Sequence, residues 1–230
     1  ADAQRLGYAE ADPSADVDGF DACRKVCILA SLAFGKHVYP NQVRAEGITK
    51  ITLEDVEYIS SAHGVIKLLG QIKKIDDDKI AAFVSPAVVF HGSQLASVNG
   101  VFNAILVRGD AVGDVCFYGA GAGKLPTASA VVADMVDCAV HVNRRKNFGW
   151  GPGSEDYVVD EKSVLEMPFY VRAKATESEA VALFHNVKFL SRKGQPSDEV
   201  AFITDSMTEN ALDKKLEGVN VINKIKVTNY

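Results

Sequence analysis

Two hydrophobic repeats, one helical and one strand-like, follow each other along the chain and limit the folds that it can adopt. Residues 20–35 carry apolar side chains at the spacing of one helix face, and Gly35 follows as a stop signal. A second helix is predicted after Thr52, which can cap its first turn. Four runs typical of β-strands come next, "VIKLLGQIKKID", "KIAAFVSPAVV", "GVFNAILVRGD" and "GDVCFYGAG", before helical spacing returns in "LPTASAVVADMVDCAVHV". The pattern predicts an α+β fold, a mixed β-sheet covered by helices.

The last third of the chain has a different, more compact pattern. "PFYVRAKA", "KFLSR", "EVAFITD" and "NVINKIKVT" are predicted strands, and "ESEAVALFHNV" and "TENALDKKLEG" are predicted helices. This β-α-β-β-α-β order is typical of a small ferredoxin-like domain. We therefore predict a first domain over residues 1–142, a linker or loop over 143–167, which starts polar and glycine-rich, and a second domain over 168–230.

Charge and composition exclude several classes of function. The 230 residues include 25 Lys and Arg against 30 Asp and Glu, a net charge of -5, which argues against nucleic acid as a partner. The longest apolar runs, such as 26–35, are too short to span a bilayer, and the acidic first twenty residues do not resemble a signal peptide. Cys23, Cys27, Cys116 and Cys138 are predicted to be reduced, buried residues, and the spacing of Cys23 and Cys27 lacks the further ligands of a metal site. These features favour a cytoplasmic protein without a metal site.

A glycine-rich stretch, Gly119–Lys124, lies between a predicted strand and a predicted helix. It fails the P-loop pattern, because Tyr118 and Leu125 occupy positions that require Gly and Ser or Thr, and it fails GxGxxG as well. Glycines before a helix N-terminus still allow a polar or anionic ligand to approach the backbone. A tight strand-to-helix turn without a ligand is the alternative.

Acidic residues crowd in front of the first predicted helix. Glu10, Asp12, Asp16, Asp18 and Asp21 precede Lys25, and Asp21 and Lys25 are four residues apart, so they meet on one helix face. One interpretation is a solvated loop with a surface ion pair, worth at most about 1 kcal/mol. The other is a lysine that moves a proton or holds a polar substrate among carboxylates.

These residues also carry a resemblance to a known family. "LGYAEADPSADVDGFDACRKVCILASLAFG", "EGITKITLEDV", "IKLLG", "VNGVFNAILVRGD" and above all "YGAGAGKLPTASAVVADMVD" closely resemble the catalytic domain of homoserine dehydrogenase, in order and spacing, from about residue 5 to residue 140. From about residue 165 the order of elements resembles an ACT-type regulatory domain. The resemblance implies interconversion of L-homoserine and L-aspartate 4-semialdehyde with NAD or NADP, in threonine, methionine and isoleucine biosynthesis, by a homodimer or higher homo-oligomer.

The resemblance also implies roles for individual residues. Lys25 would be the acid–base group at the substrate oxygen, and Asp21 would bind and orient the substrate. Tyr8, Glu10 and Asp16 would complete the pocket for the amino-acid end. The expected cofactor-binding residues are Gly119, Gly121, Ala122, Gly123 and Thr127.

The sequence departs from the family pattern in two places. The family's nucleotide-binding domain, with its GxGxxG, is not in this sequence, which begins with Ala1. We therefore expect a fragment that neither turns over substrate nor binds cofactor tightly by itself, and whose helix at 127–141 exposes an apolar face. The usual Asp-x-Pro-Gly turn of an ACT domain is replaced by "ATESEA" at 175–180, which argues against threonine as an effector. The alternative function is a non-catalytic ACT-containing module for amino-acid sensing or dimerisation.

Overall fold

The computed structural model describes residues 12–144 and 149–228. The chain divides into two compact units. The sheet unit comprises Ser14–His91 and Gly149–Tyr230, and the hairpin unit comprises Ala1–Pro13 and Gly92–Phe148. Both contain helices and strands, so the predicted α+β class is confirmed.

The elements of the described residues follow the chain in this order. The helices are α1 Ser14–Val17, α2 Phe20–Phe34, α3 Leu53–Ser61, α4 Lys124–Val140, α5 Glu161–Val164, α6 Glu177–Leu183 and α7 Glu209–Lys215. The strands are β1 Arg44–Ala45, β2 Gly64–Lys74, β3 Ile80–Phe90, β4 Phe102–Gly109, β5 Gly113–Ala120, β6 Glu166–Met167, β7 Phe169–Lys174, β8 Val187–Leu190, β9 Val200–Thr204, β10 Met207–Thr208 and β11 Asn220–Val227.

Helix α2 forms as its apolar spacing predicts. Gly35 ends it in the left-handed conformation, at φ 74°, and its N–H donates to Ser31 O. Its buried face recurs every three or four residues: Cys23, Val26, Cys27, Ala30 and Ser31. The cap predicted at Thr52 is also confirmed, since Thr52 and Asp55 form a capping box on α3.

Strand β3 lies inside the sheet and is paired along both edges. Strand β2 runs antiparallel to it over its full length. Its other edge is shared by two parallel strands, because β1 pairs with Phe83 and Val84, and β11 pairs with Ala87 and Val88. Strands β7, β9 and β8 continue the sheet beyond β11. The mixed, helix-flanked sheet predicted from the sequence is therefore confirmed.

The C-terminal elements follow the predicted β-α-β-β-α-β order. In the sheet, these strands lie side by side in the order β11, β7, β9, β8, and each neighbouring pair is antiparallel. Through β11 they join the same sheet as β3. The preceding segment packs against β3 within the same unit, since Val158 bridges Ile80 and Tyr157 is buried. The domain boundaries and the ACT-type assignment stay predictions.

Helix α2 packs closely on the sheet because β2 contains a glycine at the contact. A Cβ atom at Gly70 would lie 2.3 Å from a methyl carbon of Val26. Cys23 and Cys27 are buried in the same contact, and burial raises the pKa of both thiols, that of Cys27 to about 12. The prediction of buried cysteines is wrong for the other two. Cys116 is half-buried and Cys138 is exposed, because both lie in the hairpin unit, which lacks a core around them.

The hairpin unit consists of the β4–β5 hairpin and helix α4. Every described residue from 101 to 144 is at least partly exposed. Helix α4 exposes large apolar side chains, including Leu125, Met135 and Val140. The expected apolar face of the helix at 127–141 is thus confirmed, although the helix begins earlier. Among the described residues, no helix combines the length and the apolar character needed to cross a membrane.

A buried carboxylate, Asp55, connects α3 to the C-terminal strands. It accepts hydrogen bonds from Tyr170 Oη at 3.0 Å and Asn223 Nδ2 at 2.8 Å, and Arg172 lies 3.1 Å away. The side chain is fully buried, so each of these donors replaces a lost water. Burial, with the neighbouring Asp55 charge, raises the pKa of Tyr170, which therefore remains a hydrogen-bond donor.

A second buried carboxylate, Glu209 on α7, gathers four cations, which we call the Glu209 cluster. Its oxygens lie 2.5 Å from Lys226 Nζ, 3.1 Å from Lys224 Nζ, 3.1 Å from Arg44 Nη2 and 3.3 Å from Lys162 Nζ. Burial raises the pKa of Glu209, but the attraction of these cations outweighs it and brings the pKa to about 2. Lys226 is also buried, and burial lowers its pKa despite Glu209. In the acid range, the Glu209 carboxylate therefore controls the charge state of this contact.

We predict that Glu209→Gln lowers the free energy of unfolding near neutral pH by about 3 kcal/mol, because it leaves Lys226 buried without a counter-charge. Because the pKa of Glu209 is lowered from 4.5 to about 2 on folding, its carboxylate contributes to the free energy of unfolding above pH ~4.5. That contribution is lost as the pH falls toward about 2. The variant should therefore lose less stability than the wild type over this range, in urea unfolding followed by circular dichroism. Asp198→Asn, in an exposed pair with Lys174, is the control and should have a much smaller effect. Parallel acid curves for wild type and Glu209→Gln would contradict the prediction.

Candidate functional site

The candidate site begins at helix α1, which carries Asp16, and at the turn between α1 and α2, which carries Asp18. Gly19 ends this turn in the left-handed conformation, at φ 82°, and its carbonyl accepts the N–H of Cys23 in the first turn of α2. A Cβ atom at Gly19 would lie 3.3 Å from Val84 Cγ1 on β3. The turn is therefore held against the sheet, and Asp16 itself is exposed.

Gly47 fixes the same turn from the other side. Ile48 N–H donates to Val17 O at 2.9 Å, and a Cβ atom at Gly47 would lie 2.1 Å from that oxygen and 2.5 Å from Asp18 Cα. Because both atoms belong to the backbone, no side-chain movement could relieve the clash. The segment after β1 thus sets where the acidic turn lies relative to α2.

Asp21 and Lys25 meet at the exposed start of α2, as their spacing predicts. Lys25 Nζ lies 2.6 Å from Asp21 Oδ2, and the two side chains are 61% and 40% exposed, respectively. The opposite face of this turn is anchored in the core by Cys23 and Val26. A rigid helix therefore presents an ammonium group and a carboxylate together to solvent, where a substrate with an oxygen and an amino group could bind both.

The predicted cofactor residues lie in the hairpin unit, in the expected strand–turn–helix arrangement. Gly119 is in β5, and Gly121 N–H donates to Val101 O at 3.0 Å. Gly123 precedes α4 with φ 113° and has no side chain to cap the helix, whereas Thr127 N–H donates to its carbonyl. Because Gly123 has no side chain, no N-cap side chain accepts from the first backbone N–H groups of α4. These N–H groups can therefore donate hydrogen bonds to a polar or anionic group of a ligand.

The remaining predicted residues have different outcomes. Tyr8 and Glu10 lie outside the described residues. Asp21 and Lys25 are brought together, and Ala122, between Gly121 and Gly123, is half-buried. Reasoning from the sequence missed Gly47 and Gly70 as residues that position the site. Glycine in a strand or beside one is the signal that could have found them, since it often marks a close backbone approach.

Comparison with known proteins identifies the family. The family model for homoserine dehydrogenase matches residues 1–136. The homoserine dehydrogenase of Pseudomonas aeruginosa is 40% identical over 200 residues, covering 84% of this chain and 46% of the relative. That of Mycobacterium tuberculosis is 42% identical over 204 residues, covering 84% of this chain and 45% of the relative. This chain spans about half the length of these curated relatives.

The fold is also similar to that of solved structures. The crystal structure of a homoserine dehydrogenase from Thiobacillus denitrificans superposes with a TM-score of 0.79 at 31% identity, covering 99% of this chain and 57% of that one. The match to the family model covers more than half of the chain and includes the Asp21–Lys25 pair and the glycine-rich turn. The chain belongs to the homoserine dehydrogenase family.

Proposed function

We propose that this chain forms the substrate-binding and regulatory parts of a homoserine dehydrogenase. The complete enzyme would be about as long as the curated relatives. The enzyme interconverts L-homoserine and L-aspartate 4-semialdehyde with NAD or NADP, in the cytoplasm, on the route to threonine, methionine and isoleucine. The observation that carries this proposal is the Asp21–Lys25 pair, 2.6 Å apart at the exposed start of α2, within the segment matched by the family model.

The chemistry follows from the charges of these side chains. In the reducing direction, hydride addition at the aldehyde carbon leaves an alkoxide, which the Lys25 ammonium stabilises and then protonates to the hydroxyl. In the oxidising direction, Lys25 acts as the neutral amine and accepts the proton from the hydroxyl. Asp21 binds and orients the substrate. Glu10 and Asp16 hold its amino-acid end by charge-assisted hydrogen bonds to the α-ammonium group, and Tyr8 lines that pocket.

The glycine-rich turn is suited to contact with one side of the nicotinamide, which supplies or takes the hydride when it is bound. A Cβ atom at Gly119 would touch nothing within 4 Å, so the backbone there is open. Gly121 is packed against Asn103, where a side chain would clash. Gly119, Gly121, Ala122, Gly123 and Thr127 therefore form a surface with few side chains, in front of the N-terminus of α4.

We predict that Lys25→Met, made in a protein of the relatives' length, lowers kcat for homoserine oxidation by about 10²–10⁴-fold, because the proton acceptor is lost. Reduced nicotinamide absorbance measures the rate. Lys73→Met, at an exposed position on β2, is the matched control and should retain activity. The 230-residue chain by itself should give no turnover.

Two results would contradict the catalytic proposal. One is full activity of Lys25→Met, and the other is robust homoserine oxidation by the 230-residue chain alone. The first would show that another group carries the proton. A wild type of the relatives' length that does not oxidise homoserine would favour the alternative, a non-catalytic module for amino-acid sensing or dimerisation.

We further propose a homodimer formed through the β4–β5 hairpin. Ile105 and Phe117 are directly paired and are 43% and 62% exposed, and Val107 on the same face is 47% exposed. Within the described residues, β4 and β5 pair only with each other, so their outer edges can accept a further strand. A second copy whose hairpin packs on this face would cover the apolar side chains, and pairing at the edge would extend the sheet.

We expect Phe117→Glu to convert a dimer into a monomer, since it places a charge in the proposed apolar contact. Size-exclusion chromatography with light scattering gives the mass. Leu53→Glu, at a more exposed apolar position on α3 in the sheet unit, is the control and should remain dimeric. A monomeric wild type, or a dimeric Phe117→Glu variant, would refute this interface.

We infer that residues 168–230 form the ACT-type domain, supported by the order of β11, β7, β9 and β8. Its first helix, α6, is closed at the N-terminus by a capping box. Thr176 Oγ1 accepts the N–H of Glu179, and the Glu179 carboxylate accepts the N–H of Thr176 at 2.7 Å. These hydrogen bonds lower the pKa of Glu179, so a negative charge occupies the place where an amino-acid carboxylate would bind.

Threonine is therefore expected not to bind at this helix. Isothermal titration calorimetry with L-threonine should give no saturable heat in the wild type. Glu179→Gln, which removes the charge and keeps a capping side chain, is the matched comparison. Saturable micromolar binding to the wild type would overturn the expectation.

A further inference from the structure

The sequence contains one Asn-Gly pair, Asn99–Gly100, which lies in the hairpin unit just before β4. Both residues are exposed, and a Cβ atom at Gly100 would meet nothing within 4 Å. Asparagine is one of the thermolabile residues of proteins. Here its amide group stands beside a backbone nitrogen that no side chain shields. The pair therefore has the groups needed for an intramolecular loss of the amide.

The turn that holds this pair is short and open. The N–H of Phe102 donates to Asn99 O at 3.3 Å, and Gly100 follows Asn99 in this turn with φ 63°. A positive φ at that position is typical of type I′ and II′ turns and favours glycine. The Asn99 side-chain nitrogen donates to Ser97 O at 3.3 Å, a longer distance than in most hydrogen bonds. This hydrogen bond therefore restrains the amide only weakly.

The backbone nitrogen of Gly100 is the attacking group. Its N–H donates no hydrogen bond to any residue that the structure describes. Loss of this proton to hydroxide therefore breaks no contact of the fold. Glycine also lacks the Cβ atom that would hinder the approach of its nitrogen to the Asn99 side-chain carbon.

The sequence also contains one Asp-Gly pair, Asp18–Gly19, and the fold restrains it more strongly. The Gly19 N–H donates to Asp16 O at 3.2 Å, and Gly19 is buried. A Cβ atom at Gly19 would lie 3.3 Å from Val84 Cγ1. The nitrogen that follows Asp18 is thus engaged in a turn packed on the sheet, whereas the nitrogen that follows Asn99 is not engaged.

We propose that Asn99 is a site of deamidation. The Gly100 nitrogen forms a bond to Asn99 Cγ, the Cγ–Nδ2 bond breaks, and the amide leaves as ammonia with the proton of the Gly100 N–H. The product is a cyclic succinimide. Water then opens this ring at either carbonyl carbon. Attack at Cγ gives aspartate, and attack at the main-chain carbonyl gives isoaspartate. Water is the one co-reactant, and nothing is oxidised or reduced.

The isoaspartate product alters the glycine-rich turn. It lengthens the main chain by one carbon, and the Asn99 carbonyl that accepts the Phe102 N–H becomes part of a free carboxylate. Two residues further on, Val101 O accepts the N–H of Gly121 at 3.0 Å. A change in the path of the first turn is therefore passed to Gly121 through a direct hydrogen bond. This geometry does not depend on the cofactor role proposed for Gly121.

Mass spectrometry of the tryptic peptide 80–108 follows the reaction while the 230-residue chain is incubated in mildly alkaline buffer. We expect first-order loss of the Asn99 amide, with the mass increase of an amide that becomes an acid. The product should accept a methyl group from an isoaspartyl methyltransferase. Fragmentation of the peptide separates Asn99 from Asn103. The proposal is overturned if Asn99 keeps its amide under conditions in which a synthetic peptide of residues 95–105 loses it.

Two variants test the structural argument. Gly100→Ala should slow the reaction severalfold, because its Cβ atom hinders the attack. Asp18→Asn creates a second Asn-Gly pair in the turn on the sheet, and this pair should react severalfold more slowly than Asn99. An unchanged rate in Gly100→Ala, or equal rates at positions 18 and 99, would refute the argument. Because Gly100 has φ 63°, Asp18→Asn keeps the test valid if Gly100→Ala does not fold.

The effect on the glycine-rich turn has its own measurement. The amide chemical shift of Gly121 in the ¹⁵N-labelled protein should change as isoaspartate forms. Asn99→Asp is the matched control, because it carries the new charge on a main chain of normal length, and its Gly121 amide should stay near the wild-type shift. A Gly121 amide that does not move in the isoaspartate form, or that moves equally in Asn99→Asp, would show that the lengthened turn is not transmitted.

Discussion

The second edge of β3 is completed by two strands that are far apart in the chain, and the sheet unit depends on this sharing. Strand β1 covers Phe83 and Val84, and β11, near the end of the described chain, covers Ala87 and Val88. Since an unpaired interior strand edge leaves backbone groups without partners, the C-terminal strands are needed to complete the sheet on which α2 packs. The Asp55 network and the Glu209 cluster reinforce the same junction, because each joins an early element to β7, β11 or α7.

Local patterns were enough to predict the longer helices and strands, but not the short elements α1, α5, β1 and β6. The apolar spacing of α2, the cap at Thr52 and the alternation in β2 to β5 depend on neighbours in the sequence. The order of strands in the sheet could not be predicted in this way, because the pairing of β11 with β3 joins residues about 140 positions apart. Buried charges such as Glu209 and Lys226 escaped prediction for the same reason: each is hydrophilic alone and is buried only because its partner arrives from another element.

The candidate site was predictable in part. Asp21 and Lys25 sit one helical turn apart, so their pairing follows from the sequence once α2 is recognised. Their proposed role at a particular substrate depends on the family resemblance, because an exposed ion pair alone is also compatible with a surface contact. The contribution of Gly47 required coordinates, because only the structure shows that the backbone of Val17 and Asp18 occupies the space of its missing side chain.

The four cysteines differ in how easily a thiol reagent can reach and modify them. Cys23 and Cys27 lie on the buried face of α2 and have raised pKa values, so few thiolates are present at neutral pH. Cys138 is exposed on α4, and Cys116 is half-buried in β5. A maleimide dye would thus label the hairpin unit alone. Helix α4 carries an exposed apolar surface. Any association that covers this helix should therefore lower the rate at which Cys138 is labelled.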